Sequence, residues 1–286
     1  MTTKKLGRQT VALAHPPSVA GHANVVGKKE GEGPLADSFD QINQDDSFGE
    51  KTWEKAESAM QKTVLQRALE KAELTPEDLD YILAGDLLNQ CISSTFGLRG
   101  MDIPFLGQYG ACSTMAQTLI MASLMVECGA ANYACAVTSS HFCTAERQFR
   151  TPLEYGAKRT PTAQWTATAA GACLVRAHGS AGVPVLSVTF GRVQDFAVHD
   201  INNMGAAMAP AAAATLLHYL KDTGSAPADF DRIYTGDLGH VGSQLLRDLL
   251  AAEGLLLKNH VDCGCILYDA AEQTVKSGGS GPGCCA

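Results

Sequence analysis

A chain of 286 residues that is 45% hydrophobic and 18% charged can bury one large core or two medium ones, which excludes an intrinsically disordered protein. Its 22 Lys and Arg against 30 Asp and Glu give a net charge of −8. That balance argues against nucleic acid and against direct docking on anionic lipid, because both need clustered cations.

Met1-Thr2-Thr3-Lys4-Lys5 has no apolar run behind it, so no export signal is read and the ten cysteines are expected as reduced thiols. Neither Cys263-Gly-Cys265 nor Cys284-Cys285 has a partner pair at zinc-ligand spacing, so buried thiols are expected rather than a metal site. Gly21 to Gly49, rich in Gly, Asp, Asn and Ser, reads as loop. Trp53, Ala56, Met60, Val64, Ala68 and Ala72 recur at helical spacing and predict an amphipathic helix. Thr75-Pro76-Glu77-Asp78 then has the pattern of a capped helical turn. Tyr81 to Ala84 is a continuous apolar run, as a strand buried on both faces requires, and it ends at Gly85-Asp86.

Ile103 to Val126 carries no charge, yet Pro104, Gly107 and Gly110 interrupt it, and a helix buried inside a folded protein fits better than a membrane span. That helix is expected from about Ser113 to Cys128, apolar nearly all round and capped by Gly129. Tyr133 to Val137 predicts another buried strand, running into Thr138-Ser139-Ser140-His141. Gly171–Ala177 and Val183–Gly191 read as further strands.

The chain also repeats itself. Pro76-Glu-Asp-Leu-Asp-Tyr-Ile-Leu-Ala-Gly-Asp-Leu87 and Pro227-Ala-Asp-Phe-Asp-Arg-Ile-Tyr-Thr-Gly-Asp-Leu238 share seven of twelve positions without a gap, at an offset of 151 residues. The same offset pairs Ala56 with Ala207, Leu65 with Leu216 and Leu69 with Leu220. Alternating helices and strands, duplicated, predict an α/β fold in two halves, residues 1–180 and 181–286. An apolar helix between the halves makes five layers, α-β-α-β-α, which is the thiolase architecture.

Several segments resemble the stage V sporulation protein AD family. They are Ala84-Gly-Asp-Leu-Leu-Asn-Gln90, Phe105-Leu-Gly-Gln-Tyr-Gly-Ala-Cys-Ser-Thr114, Thr138-Ser-Ser-His141 and Thr144-Ala-Glu-Arg-Gln-Phe-Arg150 in the first half. Met204-Gly-Ala-Ala-Met-Ala-Pro210, Thr235-Gly-Asp-Leu-Gly239 and Gly278-Gly-Ser-Gly281 carry it through the second. The resemblance implies a thiolase-like protein that binds dipicolinic acid. With membrane partners from the same sporulation stage, it would help move that ligand, with calcium, into the developing spore. It also implies a cytoplasmic or forespore location, peripheral to the spore inner membrane through those partners. A homodimer is expected. Family members continue further, so Gly281-Pro-Gly-Cys-Cys-Ala286 is expected to be the first turn of a second buried helix, leaving the second half incomplete.

Cys112 stands where condensing enzymes of this fold place an acyl nucleophile, at a helix start whose dipole favours a thiolate or a bound anion. Such chemistry also needs His and Asn partners from the second half, but Thr235-Gly-Asp237 and Gly279-Ser280-Gly281 stand there instead. Cys112 therefore reads as a ligand contact, a packing thiol or a residual nucleophile, with His240 as the one base in reach by sequence. Asp86 and Asp237, at equivalent strand ends, either cap their own turns or line a cleft, where Asp86 could face calcium. Thr138, Ser139, Ser140 and His141 end a buried strand, where ligands gather in open sheets, and are expected to contact the ligand. Glu146, Arg147 and Arg150 follow, and Arg147 suits a dicarboxylate, with a surface ion pair as the alternative. No catalytic residue is assigned.

Overall fold

The computed structural model describes residues 3–149, 159–177 and 182–286. Its main sheet is built from β1 (Ser18–Val26), β2 (Tyr81–Gly85), β3 (Phe105–Gly107), β4 (Tyr133–Ser140) and β5 (Ala169–Arg176). The strands lie in the order β1-β5-β4-β2-β3, parallel along β4-β2-β3 and antiparallel at β5.

Successive side chains of β2 explain why the run is apolar throughout. Ile82 and Ala84 face helix α1 (Trp53–Lys71), which brings Met60, Val64, Leu65 and Ala68 to that side. Leu83 faces the other way, onto Ala122 and Val126 of a second helix, Thr114–Glu127. Helix α2 (Ile92–Leu98) crosses from β2 to β3, and the Thr114–Glu127 helix, α3, crosses from β3 to β4. Helix α4 (Phe142–Phe149) leaves the end of β4.

The repeat recurs in three dimensions. Helix α5 (Met204–Thr223) leads through a short turn to β6 (Ile233–Thr235), then α6 (Gly239–Ala252) and β7 (His260–Asp262), which lies parallel to β6. The two capped turns match in detail, since the Thr75 and Ala226 N–H groups each donate at 2.8 Å to the carboxylate three residues on, Asp78 and Asp229. Leu238, Leu246, Leu250 and Ala209 form a separate core there. Short helices α7 (Cys263–Ile266) and α8 (Pro282–Cys285) follow. Helix α8 sits beside α3 in the central layer, between the main sheet and the β6–β7 pair.

Three expectations are corrected. The Gly21–Gly49 region is not all loop, because β1 runs into it, with Ala23 and Val25 in the core and a bulge between Val19 and Gly21 just before it. Val183–Gly191 is not one strand, for Val183–Pro184 pairs with β1 and Ser187–Thr189 pairs with Thr10–Ala12 in another sheet. Helix α3 buries one face only, with Leu119, Met121 and Met125 partly covered. No helix among the described residues is long and apolar enough to cross a membrane.

Candidate functional site

Cys112 lies in the tight turn Ala111–Ser113 that opens α3. Across the central layer its thiol meets Asp237, the residue that follows β6 and Gly236. Asp237 is buried, adopts a left-handed backbone (φ 66°), and neither carboxyl oxygen has a hydrogen-bond partner. The Cys112, Cys284 and Cys285 thiols surround it as weak donors, outside full hydrogen-bond geometry. Gly236 is required for this approach, because a side chain there would collide with Cys285 Sγ. Burial pushes the Asp237 carboxyl up to about 8, so it is mostly protonated at neutral pH. Burial and this acidic neighbour hold the Cys112 thiol well above the usual thiol range, the reverse of an activated nucleophile.

At the two second-half positions weighed for a base and an amide stand Asp237 and Ser280. Ser280 is buried, and its carbonyl accepts from the Ala167 N–H at 2.8 Å. His240 is exposed and lines a notch with Arg247 and His260 instead.

The first-half strand ends are committed internally. Asp86 Oδ1 accepts from Leu88 N–H at 2.8 Å, and Oδ2 accepts from Ser94 N–H at 2.8 Å and Ser94 Oγ at 2.6 Å. That is the turn-capping alternative, and it leaves no oxygen facing a cleft or a cation. Thr138 Oγ1 donates to Pro282 O at 3.4 Å, while Ser140 Oγ donates to Ala167 O at 2.7 Å and accepts from Gly283 N–H at 3.1 Å. Both thus contact α8 and lie toward the junction with Cys112. His141 uses both ring nitrogens, with Nε2 donating to Asp46 O at 2.8 Å and Nδ1 accepting from Cys143 N–H at 3.1 Å. Burial holds this imidazole below its usual range. Arg147 lies apart, on the surface, paired with Glu54 at 2.5 Å. Glu146 pairs with Arg159, and Arg150 falls outside the described residues.

The model of the Stage V sporulation protein AD family matches residues 7–286, a span that includes both strand ends and the junction between them. Stage V sporulation protein AD of Bacillus subtilis (strain 168) is 42% identical over 284 residues, 99% of this chain and 83% of that protein. The chain belongs to the stage V sporulation protein AD family.

Solved structures agree on the fold alone. A variant of OleA from Xanthomonas campestris, bound with cerulenin, superposes with a TM-score of 0.62 at 15% identity, covering 95% of this chain and 86% of that one. The 3-oxoacyl-(acyl carrier protein) synthase III of Xanthomonas oryzae pv. oryzae gives 0.57 at 14%, covering 94% and 88%. The thiolase-like architecture is therefore shared with condensing enzymes, and in this sporulation family member a carboxyl faces the Cys112 thiol.

A buried polar cluster joins Ser139 to residues whose role the sequence does not announce. Glu57, Gln61, Ser94, Ser139 and Thr144 form a buried chain behind the first-half strand ends. Gln61 Nε2 donates to Ser94 Oγ at 2.9 Å and Ser139 Oγ at 2.8 Å, and those hydroxyls donate onward to Asp86 and Glu57. Burial and the Asp86 charge push the Glu57 carboxyl up. Thr144 has a single hydroxyl proton and lies 2.7 Å from Glu57 Oε2 and 2.9 Å from His141 O. A proton on Oε2 resolves this, with Glu57 donating to Thr144 and Thr144 to His141 O. The signal was available in sequence: Glu57 and Gln61, four apart, share the stripe that carries Ala56, Met60 and Val64. Among the described residues no group of three or more His, Cys, Asp or Glu is placed to hold a metal ion.

Proposed function

We propose that this chain is a non-catalytic thiolase-fold sporulation protein that binds dipicolinic acid and assists its uptake into the developing spore. The observation that carries the non-catalytic part is the Cys112 thiol facing Asp237 where a base is needed. Membership of the stage V sporulation protein AD family supports the ligand and the process. In this reading the dianion is recruited to the junction between the halves, near Cys112, Thr138 and Ser140. A protonated Asp237 can donate to a carboxylate there, as a neutral buried acid does in other anion sites. Asp86, Ser139 and His141 hold the frame, and Arg147 contributes positive potential from the outer face. Calcium accompanies the ligand rather than occupying a protein cage.

The same reading includes a homodimer and stage V membrane partners at the spore inner membrane. Support for the dimer comes from β3, an edge strand whose Phe105 and Leu106 are exposed beside Tyr109, which leaves a backbone edge for a second copy.

Calorimetric titration with dipicolinate, with and without calcium, tests the binding. Modest affinity that falls with salt and with Arg147→Ala is expected, since about a dozen heavy atoms limit the attainable free energy. Absence of any heat of binding removes the ligand reading and leaves a docking scaffold. Iodoacetamide should alkylate Cys112 no faster than an ordinary free thiol. Acyl-CoA turnover abolished by Cys112→Ala would overturn the non-catalytic assignment.

A further inference from the structure

A notch between the crossover helix and the edge strand occurs once in each half. In the first half it has a volume of about 510 Å³ and is lined by Thr95, Leu98, Arg99, Ile103 and Phe105 among others. In the second half it has a volume of about 300 Å³ and is lined by His240, Ser243, Arg247, His260, Asp262 and Cys265. Strand register makes the comparison residue by residue. Phe105 pairs with Ile82 and His260 pairs with Ile233, and Ile82 and Ile233 are related by the repeat. His260 therefore stands where the first copy has Phe105, and an apolar wall has become a polar one.

The hydrogen bonds fix the tautomer of that histidine. Asp262 accepts from Leu238 N–H at 3.2 Å and Gly239 N–H at 2.9 Å, so its carboxylate is an acceptor. Thr235 Oγ1 donates its only proton to Asp262 Oδ2 at 2.7 Å. It must then accept from His260 Nε2, also at 2.7 Å. A neutral ring with its proton on Nε2 leaves Nδ1 as a bare lone pair, and that atom is buried without a hydrogen-bond partner. Burial keeps the ring below its usual range and hence neutral. In the same notch the Arg247 guanidinium bonds Gln244 Oε1 at 3.2 Å, and no carboxylate among the described residues is within ion-pair distance of it. Ser243 Oγ adds a hydroxyl, 3.5 Å from Cys265 Sγ.

A fixed cation beside a buried acceptor selects a ligand that is negative and also carries a donor. We propose that the second-half notch binds a small oxyanion bearing its own hydroxyl, such as hydrogen phosphate or a 2-hydroxycarboxylate. Its oxygens lie on Arg247 and its hydroxyl donates to His260 Nδ1. The volume lies at the lower end of small-molecule sites, which suits so compact a ligand. This inference does not depend on the dipicolinate reading, whose residues lie at the junction between the halves.

Matched pairs of anions test it on the whole chain at pH 7. Phosphate retains a proton at that pH whereas sulfate does not, and lactate carries a hydroxyl that propionate lacks. Titration calorimetry should show phosphate, lactate or both binding at least about tenfold tighter than the unhydroxylated partner. Which pair shows the preference identifies the source of the ligand. His260→Phe, which installs the first-half residue, should remove the preference, and Arg247→Gln should weaken every anion. His260→Asn, checked by circular dichroism beside His260→Phe, guards against loss of fold as the cause. Equal binding within both pairs, a preference that survives the His260 substitutions, or no binding at about 10 mM overturns the proposal.

Discussion

At the end of β2 the Asp86 carboxylate collects three hydrogen bonds, whereas at the equivalent end of β6 the Asp237 carboxylate collects none. The neighbouring strand decides the difference. Ala84 pairs with Gly107, and its repeat counterpart Thr235 pairs with Asp262. In the first half Gly107 offers no side chain, so Asp86 itself receives the N–H of Leu88. In the second half Asp262 receives the N–H of Gly239, which is the repeat position of Leu88. Relieved of capping, Asp237 turns through a left-handed backbone toward the thiols of the central layer. The two aspartates occupy repeat-equivalent positions, yet the second adopts a left-handed backbone while the carboxylate of the adjacent strand takes over the capping bond.

Removing each acid in turn should give the largest contrast between the halves. Asp86→Asn should cost about 2–4 kcal/mol, because an amide cannot accept from both Ser94 donors and Leu88 without leaving buried groups unpaired. Asp262→Ala should cost a similar amount for the same reason, whereas Asp237→Asn should stabilise the protein at neutral pH. Urea denaturation of the three variants measures this, and an equal cost at Asp86 and Asp237 would end the argument.

Hydrogen exchange gives the next largest contrast. Strand β2 is flanked on both edges and covered on both faces, but β6 has one described neighbour, β7, and exposes Tyr234. Amides of Ile233–Thr235 should exchange about a hundredfold faster than those of Ile82–Ala84. Equal protection would mean that something covers β6 in solution.

A pH titration of stability isolates the role of Asp237. Its carboxyl rises from 3.8 to about 8 on folding, so the folded state binds more protons across that interval. Its contribution to stability is complete below the unfolded value and is lost as pH rises toward 8. Glu57 acts in the same direction. Asp237→Asn should flatten part of this slope and stabilise the protein increasingly as pH rises from about 4 toward 8, with the Glu57 part remaining. An unchanged slope would show that Asp237 is ionised in the folded state. Smallest of all, Arg147→Ala should change stability by less than about 0.5 kcal/mol, because its pairing with Glu54 is solvent-exposed. A larger loss would place Arg147 in the frame of the site rather than on its surface.

Much of the fold was legible because its signals are local. The period of α1, the unbroken apolar run of β2 and the seven identities between Pro76–Leu87 and Pro227–Leu238 each lie within a short window. They sufficed for the α/β class, the repeat and the family. Strand β1 was hidden because Gly21, His22 and Asn24 break its alternation, and only pairing with β5 makes it a strand. The site was less legible. That an aspartate stands at the strand end facing Cys112 could be read directly from Thr235-Gly-Asp237. Whether a hydroxyl or imidazole faces ligand or protein could not, because its partner lies far away in the chain. Ser139 meets Glu57 across 82 residues, His141 meets Asp46 across 95, and Gly283 meets Ser140 across 143. Sequence thus determined which polar groups are present and roughly where each strand delivers them. Tertiary packing decided which are spent on one another, since a buried polar group must be paired by whatever the fold brings within about 3 Å of it.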